Sequence, residues 1–137
     1  MKIEFISPDN KTKLRVSDCD FGPFNYQDAL DACAALGTGW RIPSKEELFI
    51  IYDQIQKNYP NDIKKFNYWT CSIKKVEDER ISELIRSGIY RSGPRGISPW
   101  KNYRVILNFA DGGFGDERDC DSCFVLAVYD IDNSDKL

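Results

Sequence analysis

The sequence predicts an α+β domain, and three observations support that class. Two helical patterns lie in the first half of the chain, each preceded by a residue suited to cap a helix. Segments rich in aromatic and β-branched residues, which are typical of strands, lie before and after them. The 137 residues are 42% hydrophobic and 13% aromatic, which favours one packed core over disorder. We therefore expect a single domain over residues 1–137.

Two short strands and a first helix are predicted at the start of the chain. Residues 2–6 and 13–17 alternate between apolar and polar side chains, and the sequence SPDN between them is typical of a turn. Asn25 is a suitable N-cap for a helix over residues 26–36, and Gly37 takes the position where a left-handed residue ends a helix. The stripe that we expect to be buried is Ala29, Leu30, Cys33 and Ala34.

A second helix is predicted from the sequence GTGWRIPSKEEL, residues 37–48. Ser44 and Glu47 have the spacing of a capping box, in which each side chain binds the other's amide. The helix therefore begins after Ser44 and ends before Pro60. Its apolar positions repeat at helical spacing and should be buried: Leu48, Ile51, Tyr52 and Ile55.

The turn between the two helices is expected to be architectural rather than a ligand site. Gly39 lets the chain turn after the first helix. Trp40 and Ile42 are predicted to fill the core between helices and sheet. Arg41 is predicted to bind loop carbonyls or a carboxylate.

Three further strands are predicted in the second half of the chain. NYWTCSI at 67–73 and YRVILNF at 103–109 are rich in aromatic and β-branched residues, and ADGG after the second is a turn. CFVLAVYDI at 123–131 is a nearly continuous apolar run, which suits a central strand buried on both faces. Residues 74–101 form an irregular insertion with the pattern of one short amphipathic helix, and residues 132–137 form a solvated tail.

Composition excludes several classes of function. The net charge of −3 argues against nucleic acid as the partner, and no apolar run is long enough to span a membrane. Because the chain has no histidine, Ser-His and Cys-His nucleophile pairs are impossible, and we expect no enzymatic activity. A secretion signal is not apparent after Met1, so a cytoplasmic protein is expected, with virion association as the alternative.

Metal and cofactor sites are not expected either. The five cysteines have no histidine and no second CxxC beside them, which favours buried free thiols over zinc. This expectation includes the pair Cys120 and Cys123, whose oxidation state the sequence leaves open. The acid-rich loop 111–121 lacks EF-hand spacing and is predicted to be a solvated hairpin loop, with a cation site as the alternative.

Several segments together resemble one family, the Lcl C-terminal-domain-like proteins of bacteria and phages. The matching segments are VSDCDFGPFNYQDALDACAALGTGWRIPSKEELFIIY at 16–52, YWTCS at 68–72, YRVILNFADG at 103–112 and FVLAVY at 124–129. The GWRIPSKEEL core carries most of the likeness. The resemblance implies a variant of the C-type-lectin-like fold, with two helices packed on small antiparallel β-sheets and a long irregular loop region.

The resemblance has clear departures. Tyr129 stands where the family often has arginine, and residues 74–101 are longer than the usual loop. The calcium-binding motifs of lectins, Glu-Pro-Asn, Gln-Pro-Asp and Trp-Asn-Asp, do not occur, so calcium-dependent sugar binding is not expected. Any specific function is therefore expected in the insertion.

The best candidate contact surface is the aromatic and basic stretch of the insertion. Residues 74–104 contain eight basic and four acidic residues, whereas those after 104 contain two basic and eight acidic ones. Tyr, Trp and Arg anchor interfaces because they bury much area and keep polar groups. The candidate residues are Tyr90, Arg91, Arg95, Trp100, Lys101, Tyr103 and Arg104.

These residues have more than one interpretation. We expect a non-enzymatic binding module that recognises a protein or glycan partner through a lectin-like loop surface. The alternative function is a structural or decoration subunit of a larger assembly, such as a phage virion, with self-assembly as its contact. The alternative for the side chains is that Trp100 and Tyr103 fill the core while the arginines are solvated.

Overall fold

Two β-sheets and three α-helices are formed by the residues that the structure describes. A computed structural model of the chain describes residues 3–10, 12–18, 20–62, 64–91, 96, 98–118, 120 and 122–131. The helices are α1 (Tyr26–Ala35), α2 (Lys45–Asn58) and α3 (Glu79–Arg86), and a 3₁₀ turn covers Pro60–Asp62. The strands are β1 (Glu4–Ile6), β2 (Lys13–Val16), β3 (Phe21–Phe24), β4 (Trp40–Arg41), β5 (Asn67–Glu77), β6 (Trp100–Asn108), β7 (Phe114–Asp116), β8 (Cys123–Val125) and β9 (Val128–Asp130).

The two sheets differ in the direction of their strands. The first has the order β1-β2-β9-β4, and its pairs are antiparallel. The second has the order β3-β8-β5-β6-β7, and in it β5 and β8 run parallel, with Tyr68 opposite Phe124. The α+β class is confirmed, but the expectation of purely antiparallel sheets was wrong. The connection from β5 to β8 contains β6 and β7, and a parallel pair requires a long connection of this kind.

Local capping explains where the helices begin. The Asn25 side chain accepts a hydrogen bond from the Asp28 amide at 2.8 Å, as predicted for an N-cap. Ser44 accepts from the Glu47 amide at 3.2 Å, and Glu47 accepts from the Ser44 amide at 2.8 Å, so the capping box is confirmed. Asp78 caps α3 through two further amide bonds to its carboxylate.

The two long helices bury different fractions of their predicted stripes. In α2 the predicted set Leu48, Ile51, Tyr52 and Ile55 is buried throughout. In α1 Ala29 and Cys33 are buried, but Leu30 and Ala34 are exposed, so half of that prediction was wrong. Ala29 and Cys33 lie one turn apart on one face, and each following residue is rotated by about 100° away from that face.

Helices and sheets enclose two hydrophobic clusters. The first joins α2 to the four-stranded sheet and includes Phe5, Leu14, Leu48, Ile51 and Val128. The second joins α1 to the five-stranded sheet and includes Ala29, Cys33, Trp69, Ile106 and Val125. Burial of one large apolar side chain contributes about 1.5–3 kcal/mol, so these clusters are the main source of stability.

The turn before α2 differs in one respect from its prediction. Ile42 is buried and Arg41 binds the Glu47 carboxylate, both as expected. Trp40 is only half-buried, but it packs against the second hydrophobic cluster, so its placement in the core was right in part. The register of β4 explains its partial exposure. Trp40 pairs with the half-buried Tyr129, and both side chains lie on the face of the sheet opposite the first hydrophobic cluster.

The apolar run at 123–131 is two strands, not one. β8 pairs with β3 and β5 in the second sheet, whereas β9 pairs with β2 and β4 in the first. Leu126 and Ala127, which connect them, are both buried. The prediction of one central strand was wrong, because β8 is an interior strand of the second sheet and β9 is an interior strand of the first. Both strands and their connection are largely buried, which explains why the apolar run is nearly continuous.

The chain divides into two compact units, residues 1–72 with 104–137 and residues 73–103. The boundaries fall inside β5 and β6, because β5 continues to Glu77 and β6 begins at Trp100. The insertion 74–101 is therefore not irregular throughout, and α3 is the short helix that its pattern indicated. The predicted tail 132–137 lies outside the described residues. Within the described ranges, no helix is long and apolar enough to cross a membrane.

Candidate binding site in the unit 73–103

A cleft of about 580 Å³ lies in the unit 73–103. The end of β5, one face of α3 and the start of β6 contribute to it. Ser82 and Arg86 are four positions apart on α3 and therefore lie on the same side of the helix. The lining residues are Glu77, Ser82, Ile85, Arg86, Ser98, Pro99 and Trp100.

Hydrogen bonds fix the walls of this cleft. The Asp78 amide donates to the Pro99 carbonyl at 2.6 Å, which joins the start of α3 to the segment before β6. The Ser82 hydroxyl is buried and donates to Glu77 Oε1 at 2.5 Å. The Trp100 amide donates to Ser98 Oγ at 3.2 Å. The backbone around the exposed Trp100 is therefore held in place.

Trp100 and Arg86 are the groups that the cleft offers to a ligand. The Trp100 residue is 52% exposed, so much of its aromatic surface is available for contact with a ligand. Arg86 binds Glu83 at 2.8 Å, but both side chains are 69% exposed. Such an exposed pair contributes at most about 1 kcal/mol, so Arg86 can exchange Glu83 for another partner.

The predicted contact residues are not gathered at one place. Trp100 lines the cleft, whereas Tyr90, Arg91 and Lys101 are exposed in the same unit without lining it. Tyr103 is half-buried. The exposure of Trp100 shows that its assignment to the core, the alternative interpretation, was wrong.

Two of the predicted residues stand apart. Arg95 lies outside the described residues. Arg104 belongs to the larger unit, and its guanidinium lies 4.2 Å from the centre of the Tyr26 ring. Burial raises the pKa of Tyr26, and the positive charge of Arg104 acts in the opposite direction. The Arg104 amide also donates to Glu117 Oε1 at 3.2 Å. Arg104 is thus held by contacts within its own unit.

Sequence reasoning missed four polar residues of the cleft, namely Glu77, Ser82, Arg86 and Ser98. The signal that could have found two of them was the spacing of Ser82 and Arg86 on the predicted helix. Glu77 and Ser98 come from segments on either side of that helix. Glu77 and Ser98 come together because the chain returns alongside β5 as β6, and no local sequence pattern predicts that return.

The acid-rich loop uses its described carboxylates internally. Asp111 accepts from the Gly113 amide at 2.8 Å, and the buried Asp116 accepts from Arg118 Nη2 at 2.7 Å. Asp119 and Asp121 lie outside the described residues. Over the part of the chain that is described, no group of three or more His, Cys, Asp or Glu residues is placed to hold a metal ion.

The four described cysteines are free thiols. Cys33 and Cys123 are buried as expected, and burial raises the pKa of both, that of Cys33 to about 11. Cys120 is half-buried, and Cys71 is exposed, so burial was the wrong expectation for Cys71. Cys19 lies outside the described residues.

Comparison of the chain with protein-family models, with curated proteins and with solved structures gives no match. Fold and site together define an α+β protein whose small basic unit carries an open cleft with an exposed tryptophan and arginine. Function must therefore be inferred from the chemistry of these surfaces.

Proposed function

We propose that the chain is a non-enzymatic binding module that recognises a protein partner through the unit 73–103. The observation that carries this proposal is the concentration of exposed apolar side chains there. Ten large hydrophobic residues are exposed among those described, and four of them lie in this unit, which is less than a quarter of the chain. A unit enriched in exposed apolar side chains favours a role in contact with another molecule. The four are Ile73, Ile89, Tyr90 and Trp100.

Helix α3 supports a protein rather than a glycan as the partner of this unit. Its apolar residues Ile81, Leu84 and Ile85 are only half-buried, although an amphipathic helix normally buries such a stripe. A protein surface supplies aliphatic groups that would complete this burial. A glycan supplies mainly hydroxyl groups and would leave the isoleucine and leucine side chains in water.

Charge supports an acidic partner. The unit 73–103 contains seven basic and four acidic residues, and the remainder of the chain contains twelve basic and eighteen acidic ones. Opposite charge on a partner speeds encounter and gives salt dependence, while the apolar groups supply affinity. We therefore expect binding that weakens, without disappearing, as the salt concentration rises.

Two observations support a binding role without catalysis. The chain has no histidine, which removes the commonest general base. Two hydroxyls line the cleft: that of Ser82 is buried and donates its hydrogen to Glu77, and that of Ser98 accepts from the Trp100 amide. A bound ligand would therefore meet an indole face and a guanidinium rather than an activated nucleophile.

We also infer that the α+β fold is a variant of the C-type-lectin-like fold. Strands β1 and β9 both flank β2, so the first and last described strands lie in one sheet. Helices α1 and α2 pack on the sheets, and the long segment 73–103 leaves and rejoins the body between β5 and β6. These features agree with the arrangement that the GWRIPSKEEL resemblance implies.

The test is affinity capture with matched variants. Trp100 and Phe114 are 52% and 50% exposed, and Phe114 lies in the larger unit, so Trp100→Ala and Phe114→Ala remove comparable exposed aromatic groups. We expect wild type and Phe114→Ala to retain the same protein from a lysate of the source organism, and Trp100→Ala to lose it. Reconstitution with the purified partner, in low and high salt, then measures affinity and its charge dependence.

The outcomes separate the proposal from its rivals. Capture that survives Trp100→Ala, or capture that depends on glycans removed by glycosidase treatment, would contradict recognition of a protein through this unit. Equal loss with Phe114→Ala would show that the effect is not specific to the unit.

A second candidate function is a structural subunit that associates with copies of itself, for example in a virion. The opposite net charges of the two units favour it, because such charges can attract between copies. Sedimentation of the purified chain tests this candidate. Concentration-dependent oligomers that dissociate in high salt are expected if it is correct, and a monomer at every concentration rejects it.

A further inference from the structure

We propose a second binding site, for a neutral oligosaccharide chain, on the outer face of the four-stranded sheet. This site lies in the larger unit and is independent of the protein-binding function proposed for residues 73–103.

One row of side chains crosses all four strands of this sheet. Glu4 pairs with Arg15, Arg15 with Tyr129, and Tyr129 with Trp40. Residues directly opposite each other in antiparallel strands project on the same side. These four side chains are exposed or half-buried, whereas their strand neighbours Phe5, Leu14 and Val128 are buried. With about 4.8 Å between strands, the row is about 14 Å long.

A cleft of about 710 Å³ lies along this row. Glu4, Arg15 and Trp40 of the row line it, and Phe21 and Leu36 add apolar surface. Leu36 is 39% exposed although it is a large aliphatic residue. The cleft therefore combines aromatic and aliphatic surface with polar groups, which is the combination that binds sugar rings.

Several polar groups in the cleft have hydrogen-bonding capacity to spare. Arg15 donates to Glu4 through Nε at 3.0 Å, and its two terminal nitrogens have no acceptor among the described residues. The exposed Asp18 carboxylate, which also lines the cleft, has no described partner. The indole N–H of Trp40 likewise has no acceptor within the described part of the chain. Guanidinium and carboxylate groups each bind two neighbouring groups at once, as vicinal hydroxyls require.

The charges of the cleft favour an uncharged ligand. Glu4 forms ion pairs with both Arg15 and Lys13, the latter at 3.4 Å, so these three groups together carry one positive charge. The Asp18 carboxylate balances that charge, so the group is neutral overall and offers no net attraction to phosphate, sulfate or acidic sugars. Neutral sugar rings match the indole and the unpaired polar groups of this cleft. Their apolar faces stack on indole, and their hydroxyls bind the donors and acceptors that have no described partner.

The protein holds Trp40 in a defined position for such stacking. The Trp40 and Tyr129 rings are 5.4 Å apart and tilted by 39°, so one face of the indole is supported from within the sheet. Gly39 has φ +94, and a methyl group added there would lie 2.8 Å from the Tyr129 ring. The chain therefore approaches Tyr129 closely just before Trp40, which places the indole against that ring.

The experiment titrates the full-length chain with neutral hexasaccharides, namely cellohexaose, maltohexaose, mannohexaose and chitohexaose, and with a heparin hexasaccharide as the charged comparator. Calorimetry gives the affinity. We expect at least one neutral hexasaccharide to bind with a Kd below about 1 mM and the heparin fragment not to bind. Trp40→Ala should weaken that binding about tenfold or more, because it removes the stacking face.

Two further variants keep the test independent of folding and of the proposed protein partner. Arg15→Gln changes an exposed side chain that the core does not need, and it should also weaken sugar binding several-fold. Trp100→Ala should leave sugar binding unchanged while it removes protein capture. Absence of binding by all four neutral sugars, binding only of the heparin fragment, or equal binding by wild type, Trp40→Ala and Arg15→Gln would each overturn the proposal.

Discussion

Replacement of Arg41 by methionine should destabilise the fold more than the loss of an ordinary surface ion pair. Arg41 donates to both carboxylate oxygens of Glu47, at 2.7 and 2.8 Å, and reaches Asp130 Oδ1 at 3.4 Å. The Glu47 side chain is only 9% exposed. Without Arg41, this carboxylate stays buried and keeps only the Ser44 amide as a described hydrogen-bond donor.

The expected magnitude follows from this geometry. Removal of one partner from a fully buried ion pair costs about 3–5 kcal/mol. The Arg41 side chain is 39% exposed, so water can reach part of the space that it leaves, and the Ser44 bond remains. We therefore expect a loss of about 2–3 kcal/mol in the free energy of unfolding near neutral pH.

The dependence on pH distinguishes this explanation from a loss of packing. Burial raises the pKa of Glu47, but the bonds from Arg41 and Ser44 outweigh burial and hold that pKa below its usual value of 4.5. The stabilisation is thus present above the unfolded-state pKa and is lost as the pH falls through the folded-state pKa. In Arg41→Met we expect burial, the largest single influence on Glu47, to dominate and to raise its folded-state pKa above the unfolded one. The cost of burying the ionised Glu47 carboxylate in the variant is then present at neutral pH, and it disappears when the carboxylate is protonated at lower pH.

Urea unfolding at about pH 7 and about pH 4 measures both effects, and Lys57→Met is the control. Lys57 pairs with Asp53 at 2.9 Å on α2 with both side chains well exposed, so its loss should cost about 0.5 kcal/mol or less. A loss in Arg41→Met no larger than in the control would refute the reasoning. The reasoning would also be refuted if the difference in unfolding free energy between Arg41→Met and wild type were as large at about pH 4 as at about pH 7.

Three other predictions test the fold. Gly39→Ala should cost at least about 1 kcal/mol more than Gly88→Ala in urea unfolding. Both glycines have positive φ, but the added methyl meets a ring at 2.8 Å at Gly39 and no atom within 4 Å at Gly88. Ile51→Ala, at a fully buried position, should lower the free energy of unfolding by about 2–5 kcal/mol, and a loss under 1 kcal/mol would contradict its burial. Iodoacetamide followed by mass spectrometry should modify Cys71 in the folded protein and Cys33 only after unfolding, whereas equal rates would contradict the burial of Cys33.

Features that depend on neighbouring residues could be predicted from the sequence. Asn25 caps α1 and the Ser44–Glu47 box starts α2 because each bond joins residues three positions apart. The apolar stripe of α2 was also predictable, since one strongly periodic face leaves a single way to bury it. The weaker stripe of α1, made of alanines, a leucine and a cysteine, allowed a rotation that the sequence could not decide.

Features that depend on distant partners could not be predicted. The run 123–131 divides into β8 and β9 because β8 pairs with β5 and β9 pairs with β2, and these partners lie in different sheets. The residues of the run themselves do not indicate which partners they have. The candidate site has the same origin. Aromatic and basic composition indicated the segment 73–103, yet the cleft depends on the Asp78–Pro99 bond, which joins residues 21 positions apart.

Strand β4 explains how one short motif serves both the core and the surface. It has two residues, and because successive side chains in a strand point to opposite faces, Arg41 and Trp40 must diverge. Arg41 turns to Glu47 and Asp130, which ties α2 to β9, while Trp40 turns to Tyr129 and the row that crosses the outer face. The prediction that this turn is architectural is confirmed for Arg41 and Ile42, and in part for Trp40, which packs against the second hydrophobic cluster. Because Trp40 is only half-buried and its N–H has no acceptor among the described residues, we assign the exposed part of its indole to a ligand.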